Sequence, residues 1–301
     1  MEHRSSTNRE SEKEKIARII TELRSTFSLS ILLQVSKMKR STYYYTISKE
    51  DKDFKNDKIM NEIIRIFYEH KERYGYRRVT LELMNQGYNI NHKKVLRLMN
   101  RMGLHAKKRS RRKYSSYKGK VGRVADNLIA RNFHSDLPNK KWYTDVTEFS
   151  IPDGKLYVSP IIDGYNGEII SVDISTSPDL KQSHRMLDKA INKYEFFEDL
   201  IIHSDQGFQY QHFSYRKKLK KHNIRQSMSR KGNSIDNGLM ESFFATLKTE
   251  MFYGQEKKFK NIKELEIAIY EYINYYNNKR IRAKLKGLSP VQYRIQSLSP
   301  I

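Results

Sequence analysis

The pattern of apolar residues changes near Asn132, and this change restricts the folds that the chain can adopt. Before it, apolar residues recur every three or four positions, which is the period of amphipathic helices. After it, short apolar runs separated by turn residues follow the order strand, strand, strand, helix, strand, helix, strand, helix. This order predicts a mixed α/β domain of about 150 residues, preceded by an all-helical region.

The all-helical region begins with a polar lead and an N-terminal helical segment. Residues 1–13 are polar and are expected to be disordered. Residues 14–50 contain short helices joined by a basic turn at residues 37–40. This arrangement suits a helix-turn-helix, and a small helical bundle with a basic surface would show the same pattern, so both interpretations stay open.

Residues 55–104 form a second helical unit, whose last helix can be capped by Asn91. On that helix Lys93, Arg97 and Arg101 are spaced four apart and form a basic stripe opposite the apolar face. A helix that follows a short turn and carries a cationic stripe is typical of a recognition helix, although a solvated charged face would look the same. We interpret residues 55–104 as a helix-turn-helix module that binds DNA.

The charge of the chain favours a polyanionic partner. Its 58 Lys and Arg residues exceed its 34 Asp and Glu residues, giving a net charge of +24. Nucleic acid is the first candidate and an anionic membrane surface the second. Residues 105–132 are interpreted as a basic linker that lies along DNA phosphates rather than as a simple spacer. The linker residues expected to contact DNA are Lys107, Lys108, Arg109, Arg111, Arg112 and Lys113.

The chain contains no cysteine, which excludes disulfides, thiolate nucleophiles and cysteine-bound zinc. No run approaches the 18 apolar residues of a membrane-spanning helix, and the polar N-terminal residues lack the apolar core of a signal peptide. We therefore expect a cytoplasmic protein with several domains that binds nucleic acid and no membrane.

Three acidic residues stand out by their positions. Asp145 lies in the first strand of the α/β domain, Asp205 ends the fourth strand, and Glu241 lies in the helix that starts near Asn237. Ends of strands and helices converge at the edge of an open sheet, where ligands bind. Three oxygen ligands suit Mg²⁺ or Mn²⁺, and two such ions can activate an attacking oxygen and stabilise a leaving oxygen. Four other acids are interpreted as turn, cap or surface residues: Asp163, Asp173, Asp188 and Asp236.

The motifs around these acids resemble those of the integrase-like transposases of bacterial insertion sequences, specifically the OrfB-type product of two-frame elements. The matching segments are W-Y-T-D, ending at Asp145, H-S-D-Q-G, containing Asp205, and N-x-x-x-E-S-F-F-x-x-L-K, which starts at Asn237 and ends at Lys248. Thirty-five residues separate Asp205 from Glu241. Upstream, Y-G-Y-R-R resembles the helix-turn-helix module of the family, and downstream Y-x-x-Y-Y-N-x-x-R resembles its ending.

The resemblance implies an RNase H-like integrase core over residues 133–255, a mixed five-stranded sheet flanked by helices, with a helical extension over 256–301. It also implies that Asp145, Asp205 and Glu241 form a catalytic triad that binds Mg²⁺ or Mn²⁺ as two ions. Asn237 and Lys248, which lie on the face of the helix that carries the glutamate, are then expected to contact DNA. The implied reaction is cleavage and strand transfer at the ends of an insertion sequence.

The resemblance implies that the chain binds double-stranded DNA, both the terminal inverted repeats of the element and the target. It also implies that the chain forms a homo-oligomer on DNA and acts with a first-frame companion protein. The chain has neither the zinc-binding cysteines of retroviral integrases nor the leucine-zipper heptads of the companion, so end recognition would be supplied partly by a fusion or a partner. The alternatives are an RNase H-like nuclease that does not join strands, a catalytically silent DNA-binding regulator, and a structural RNA-binding protein favoured by charge alone.

Overall fold

The computed structural model describes residues 12–107, 124–194 and 197–298. The predicted disordered lead lies outside these residues except for its end, where the first helix begins at Glu12. Five helices precede the sheet: α1 (Glu12–Leu23), α2 (Leu29–Val35), α3 (Arg40–Glu69), α4 (Tyr76–Asn85) and α5 (His92–Arg101).

Four strands come next, where three were predicted, and the elements after them alternate as predicted. The strands are β1 (Lys141–Thr144), β2 (Thr147–Ile151), β3 (Gly154–Asp163), β4 (Ile169–Ser175), β5 (Ile201–Ser204) and β6 (Arg225–Met228). The helices are α6 (Leu180–Ile191), α7 (Phe208–Gln211), α8 (Phe213–Lys221), α9 (Gly238–Leu247), α10 (Ile262–Asn278) and α11 (Pro290–Leu298). Short 3₁₀ turns cover Ser234–Asn237, Glu256–Lys258 and Ala283–Leu285, and a π-helical turn, Lys248–Phe252, follows α9 directly.

Helix α3 differs from the prediction that two helical units are separated between residues 50 and 55. It runs without a break for 30 residues, from Arg40 to Glu69. The stretch is mostly polar around its middle, which hides its helical period, but it contains neither Gly nor Pro to end the helix. The boundary between the two N-terminal units therefore falls inside one helix.

The sheet has six strands that occupy five positions. Thr144 pairs with Ile161 and Thr147 with Val158, so β1 and β2 follow one antiparallel register along the same edge of β3. They form a single strand interrupted at Asp145 and Val146. Strand β4 pairs with β3, while β5 lies parallel to β1 and β6 parallel to β5. This mixed sheet, five positions wide, confirms the predicted RNase H-like integrase core.

Helices cover both faces of the sheet because strand residues alternate between the faces. Trp142 packs into a buried cluster with residues of α6 and α8, whereas the next residue, Tyr143, packs with α9 and α10. The same alternation separates Ile161 from Ile162 on β3. The sheet is therefore buried on both sides and fixes the residues at its edge rigidly.

Two predicted domain boundaries do not coincide with the packing. The second part of the proposed linker, residues 124–132, belongs to the α/β domain, because Ile129 is buried in its core and the Leu128 N–H donates to Ser227 Oγ (2.9 Å). The proposed extension after residue 255 also belongs to it, since α10 buries Leu265 and Ile269 against the sheet. Apolar stripes on single elements do not reveal which partner they pack against.

None of the helices in the described parts of the chain is both long and apolar enough to cross a membrane.

Candidate active site

Asp145 lies where the first strand of the sheet is interrupted, directly after β1. Its Oδ1 accepts a hydrogen bond from the Val146 N–H (2.8 Å), and its Oδ2 accepts one from Asn237 Nδ2 (3.2 Å). Burial raises the pKa of Asp145 well above its usual range, and the charges of Asp205 and then Glu241 raise it further. The carboxyl group is thus held in place beside other acids.

Asp205 lies beside Asp145 because β1 and β5 are parallel neighbours. Tyr143 pairs with His203, and each catalytic candidate follows two residues later. Asp205 Oδ1 accepts from the Gly207 N–H (2.9 Å), which turns the chain into α7. Burial raises the pKa of Asp205 as well, although the Gly207 bond opposes the shift. The structure therefore brings two of the three predicted acids together at the carboxyl edge of the sheet.

Glu241 lies in the first turn of α9 and is half-buried. Its charge raises the pKa of Asp145, less than burial and Asp205 do, which places it near the pair. Within residues 12–107, 124–194 and 197–298, no three acidic or histidine side chains lie close enough to hold a metal ion together. The helix thus places Glu241 next to the aspartates without completing a three-ligand cluster.

The donor set of this edge fits a hard divalent cation. Two half-buried carboxyl groups follow neighbouring parallel strands, and the interactions that shift their pKa values include no Lys or Arg. The Oδ1 atom of Asn237 is also buried with no hydrogen-bond partner among the described residues. Carboxylate and amide oxygens are ligands that Mg²⁺ and Mn²⁺ accept, and a bound cation would offset the repulsion of the acids.

The structure assigns Asn237 a different place from the predicted contact with DNA. Its side chain is 4% exposed and donates to Asp145, so it orients a carboxylate rather than facing a nucleic acid. Lys248 is half-buried, and its Nζ lies 5.2 Å from the centre of the Phe149 ring. A cation over an aromatic face is stabilised there, so the Phe149 ring holds the Lys248 side chain in this position.

Asp236 anchors the start of α9, a role that the sequence did not indicate. It is fully buried and accepts hydrogen bonds from Arg230 Nε (2.8 Å), Arg131 Nε (3.0 Å) and Asn127 Nδ2 (3.1 Å). The hydrogen bond from Arg230 lowers its pKa and outweighs the effect of burial. Asp163 and Asp173 are likewise buried and paired with Arg or Lys, so these three are not surface acids, although Asp163 also accepts from the Tyr165 N–H in the turn after β3 (3.0 Å).

His203 supports the strand that presents Asp205. Its ring is fully buried, with Nδ1 2.8 Å from Ser227 Oγ and Nε2 3.2 Å from Ser229 Oγ. Burial lowers its pKa to about 4, so the imidazole is neutral at pH 7. The sequence motif contained this residue, but its role needs residues more than twenty positions away.

The predicted DNA-contacting residues of α5 lie on the surface. Lys93, Arg97 and Arg101 are all exposed, while Val95, Leu98 and Met99 on the other face are buried. Asn91 caps the helix by accepting from the Lys93 N–H (2.8 Å). Lys107 is also exposed. The other predicted linker contacts lie outside the described residues: Lys108, Arg109, Arg111, Arg112 and Lys113.

Comparison with protein families supports both parts of the molecule. Residues 135–234 and 241–298 each match a family model described as an integrase core domain, and residues 55–114 match an HTH-like domain. Among solved structures, the chain is similar to the catalytic core domain of HTLV-2 integrase in complex with magnesium. That similarity has 20% sequence identity and a TM-score of 0.42, and covers 52% of this chain and 97% of that one.

Sequence relatives extend over almost the whole chain. It is 47% identical over 283 residues to a transposase, InsK, described for insertion sequence element IS150 of Escherichia coli K12, covering 94% of this chain and 99% of the relative. It is 32% identical over 280 residues to the transposase InsF of insertion sequence IS3A from the same organism, covering 91% and 96%.

The integrase core fold and the helix-turn-helix module together define a polynucleotidyl transferase that acts on DNA. The chain belongs to the family of insertion-sequence transposases with an integrase core domain. The resemblance inferred from the sequence motifs is thereby confirmed.

Proposed function

We propose that this transposase cleaves DNA at the ends of its insertion sequence and joins the freed 3′ hydroxyl to a target, using Asp145, Asp205 and Glu241 as its catalytic residues. One observation carries the proposal: two half-buried carboxyl groups with raised pKa values lie at the ends of neighbouring parallel strands, with a third carboxylate near them. Acids kept together at such a cost in repulsion are typical of a site for cations.

The residues divide the work by position. Asp145 and Asp205 hold most of the charge for Mg²⁺ or Mn²⁺, and Glu241 completes the donor set from α9. When bound, two such cations would supply activation of an attacking water or hydroxyl and stabilisation of the leaving oxygen. Asn237 orients Asp145. The reaction needs no protein nucleophile, because water and then the 3′ hydroxyl attack the phosphodiester.

The basic stripe of α5 is proposed to contact the element end, and Lys107 to Lys113 to contact phosphates of any sequence. Neutralising Lys93, Arg97 and Arg101 together should weaken binding to element ends more than binding to random DNA. Neutralising the linker cluster should weaken both equally and reduce the salt slope of binding by about one unit per lost phosphate contact. Fluorescence anisotropy at several salt concentrations tests this, and equal loss of specificity in both variants would contradict it.

The catalytic proposal is tested with labelled duplexes from the two ends of the DNA segment that encodes the chain. Asp205→Asn and Glu241→Gln should abolish cleavage and joining and retain DNA binding, whereas Asp188→Asn should behave as wild type, because Asp188 is an exposed acid paired with Lys218. Full activity of Glu241→Gln would refute the triad. Cleavage without joining in the wild type would favour the nuclease, and binding alone would favour the silent regulator. The homo-oligomer on DNA and the companion protein are part of the same proposal.

A further inference from the structure

The turn between α3 and α4 inserts into the catalytic domain beside the π-helical turn. The ring of Tyr74 stacks on that of His70 (3.8 Å between centres), and its hydroxyl accepts from the Ile281 N–H (2.9 Å). His70 Nδ1 lies 3.0 Å from the hydroxyl of Tyr275. The helix-turn-helix module is therefore fixed to the catalytic domain by buried polar contacts and rings rather than tethered to it only by the linker.

Arg73 of this turn and Arg78 in the first turn of α4 contact Glu250, which lies in the π-helical turn. Arg73 Nε donates to the main-chain carbonyl of Glu250 (3.2 Å), and Arg78 Nη1 donates to its Oε1 (3.4 Å). The guanidinium of Arg73 also lies over the rings of Tyr272 and Tyr275, 5.0 and 4.6 Å from their centres. The helix-turn-helix module thus contacts both the side chain and the main-chain carbonyl of Glu250.

Glu250 is also bound by residues of the catalytic domain itself. Arg280 binds it through two hydrogen bonds, Nε to Oε2 (2.8 Å) and Nη2 to Oε1 (2.6 Å), and the Tyr272 hydroxyl donates to Oε2 (2.8 Å). Burial opposes the charged form of Glu250, but Arg280, the charge of Arg78 and the Tyr272 hydroxyl together lower the pKa. The contacts from Arg73 and Arg78 are therefore additional to an ion pair inside the catalytic domain.

The π-helical turn continues α9 without interruption, and α9 carries Glu241. The nine residues from Glu241 to Glu250 correspond to about 13 Å along a helix axis. Single π turns within helices are frequent at functional sites. The end of α9 held by the DNA-binding module is thus directly connected to the helical turn that carries Glu241.

We propose that Arg73 and Arg78 are positioning residues: by holding Glu250, they transmit the placement of the helix-turn-helix module on DNA to α9 and so set the position of Glu241. The inference rests on the proposed function, because it concerns the residue that completes the catalytic triad.

The test uses the full-length chain with Arg73→Met and Arg78→Met combined, which keeps the side-chain volume and leaves the Arg280 ion pair intact. At saturating duplex and a temperature well below unfolding, end cleavage should slow at least about ten-fold, and half-saturation by Mg²⁺ should need several-fold more cation, because outer contacts orient metal ligands. Affinity for the duplex should change less than two-fold. Arg78→Lys in place of Arg78→Met keeps the charge and should restore part of the cleavage rate.

Arg77→Met is the matched control, because Arg77 is exposed and donates to the Tyr76 hydroxyl rather than to Glu250. It should cleave at the wild-type rate with the wild-type Mg²⁺ requirement. If the double variant only unfolds at a lower temperature and keeps both the rate and the Mg²⁺ requirement, the arginines are merely structural and the proposal is overturned.

A second measurement is independent of catalysis. Hydrogen exchange of the amides of residues 239–252 should slow when the wild-type chain binds the end duplex and should not change in the double variant. If the wild type shows this response but cleaves no DNA, the proposed function fails and the coupling stands. If the wild type cleaves DNA and the exchange rate of these amides does not change when the duplex binds, the coupling fails and the proposed function stands.

Discussion

Acids at the two ends of α9 have opposite environments. Beside its start, Asp145 and Asp205 are half-buried side by side, and loss of water around them raises the pKa of both. At its end, Glu250 is more deeply buried, but Arg280 helps to lower its pKa. The difference shows that burial alone does not identify a catalytic carboxylate. An acid that is compensated by arginine holds the fold together, whereas a pair left without a protein cation is a site for a ligand.

The largest effect on stability is expected for Glu250→Gln. This change leaves Arg280, whose side chain is 5% exposed, without a counter-charge, and breaking such a buried pair costs about 3–5 kcal/mol of unfolding free energy. Asp236→Asn should cost less, about 1–2 kcal/mol, because Arg131 and Arg230 are half-exposed and regain water. Urea unfolding measures both, and equal costs would contradict the role of arginine exposure.

The largest increase in stability is expected for Asp205→Asn. Removing one of two neighbouring, half-buried acids relieves repulsion, so the variant should unfold about 2–4 °C above the wild type in a metal-free buffer. Cleavage of end duplexes should fall by about 100- to 1,000-fold or more, as for loss of a preorganised transition-state contact. Calorimetry with and without Mg²⁺ measures the first effect. A variant less stable than wild type without metal would show that the acids are not a repulsive pair.

A dependence of stability on pH is expected from His203. Because its folded pKa is about 4 and its ordinary value 6.5, its contribution is fully present above pH 6.5 and is lost as the pH falls towards 4. The lost free energy amounts to about 3 kcal/mol. The raised pKa values of Asp145 and Asp205 act in the opposite sense. The folded state binds protons at these groups more tightly than the unfolded chain does, so their contribution to stability increases as the pH falls.

The two contributions are separated by comparing wild type with His203→Asn between pH 4 and 8. The carboxyl groups are common to both proteins, so the difference in unfolding free energy isolates the imidazole. It should shrink as the pH falls below 6.5. A difference that is independent of pH would show that the ring is not held neutral by burial.

A smaller effect on activity is expected for Asn237→Ala. The change removes the hydrogen bond to Asp145 without removing a carboxylate, so the Mg²⁺ requirement for cleavage should rise by about 10- to 100-fold with DNA affinity retained. Asn233→Ala is the control, because Asn233 is near in sequence and contacts only Arg131 with its side chain among the described bonds. A loss of DNA affinity without a change in the Mg²⁺ requirement would restore the original interpretation of Asn237 as a DNA contact.

Much of the architecture followed from local patterns in the sequence. The short apolar runs separated by turn residues after Asn132 predicted the strands, and the apolar stripes predicted the helices before them. These features depend on residues within one turn or one hairpin, so the chain itself encodes them. The positions of Asp145 and Asp205 at strand ends were predictable for the same reason.

Tertiary structure alone decided how those elements combine. Residues 124–132 and α10 complete the core of the catalytic domain, and Asn237 turns inwards to Asp145, because packing over long sequence distances outweighs local character. The pairing of Glu250 with Arg280, Arg78 and Arg73 joins segments up to 177 residues apart. A charge pattern in the sequence cannot reveal this pairing, because which acid is compensated depends on where the folded chain brings its arginines.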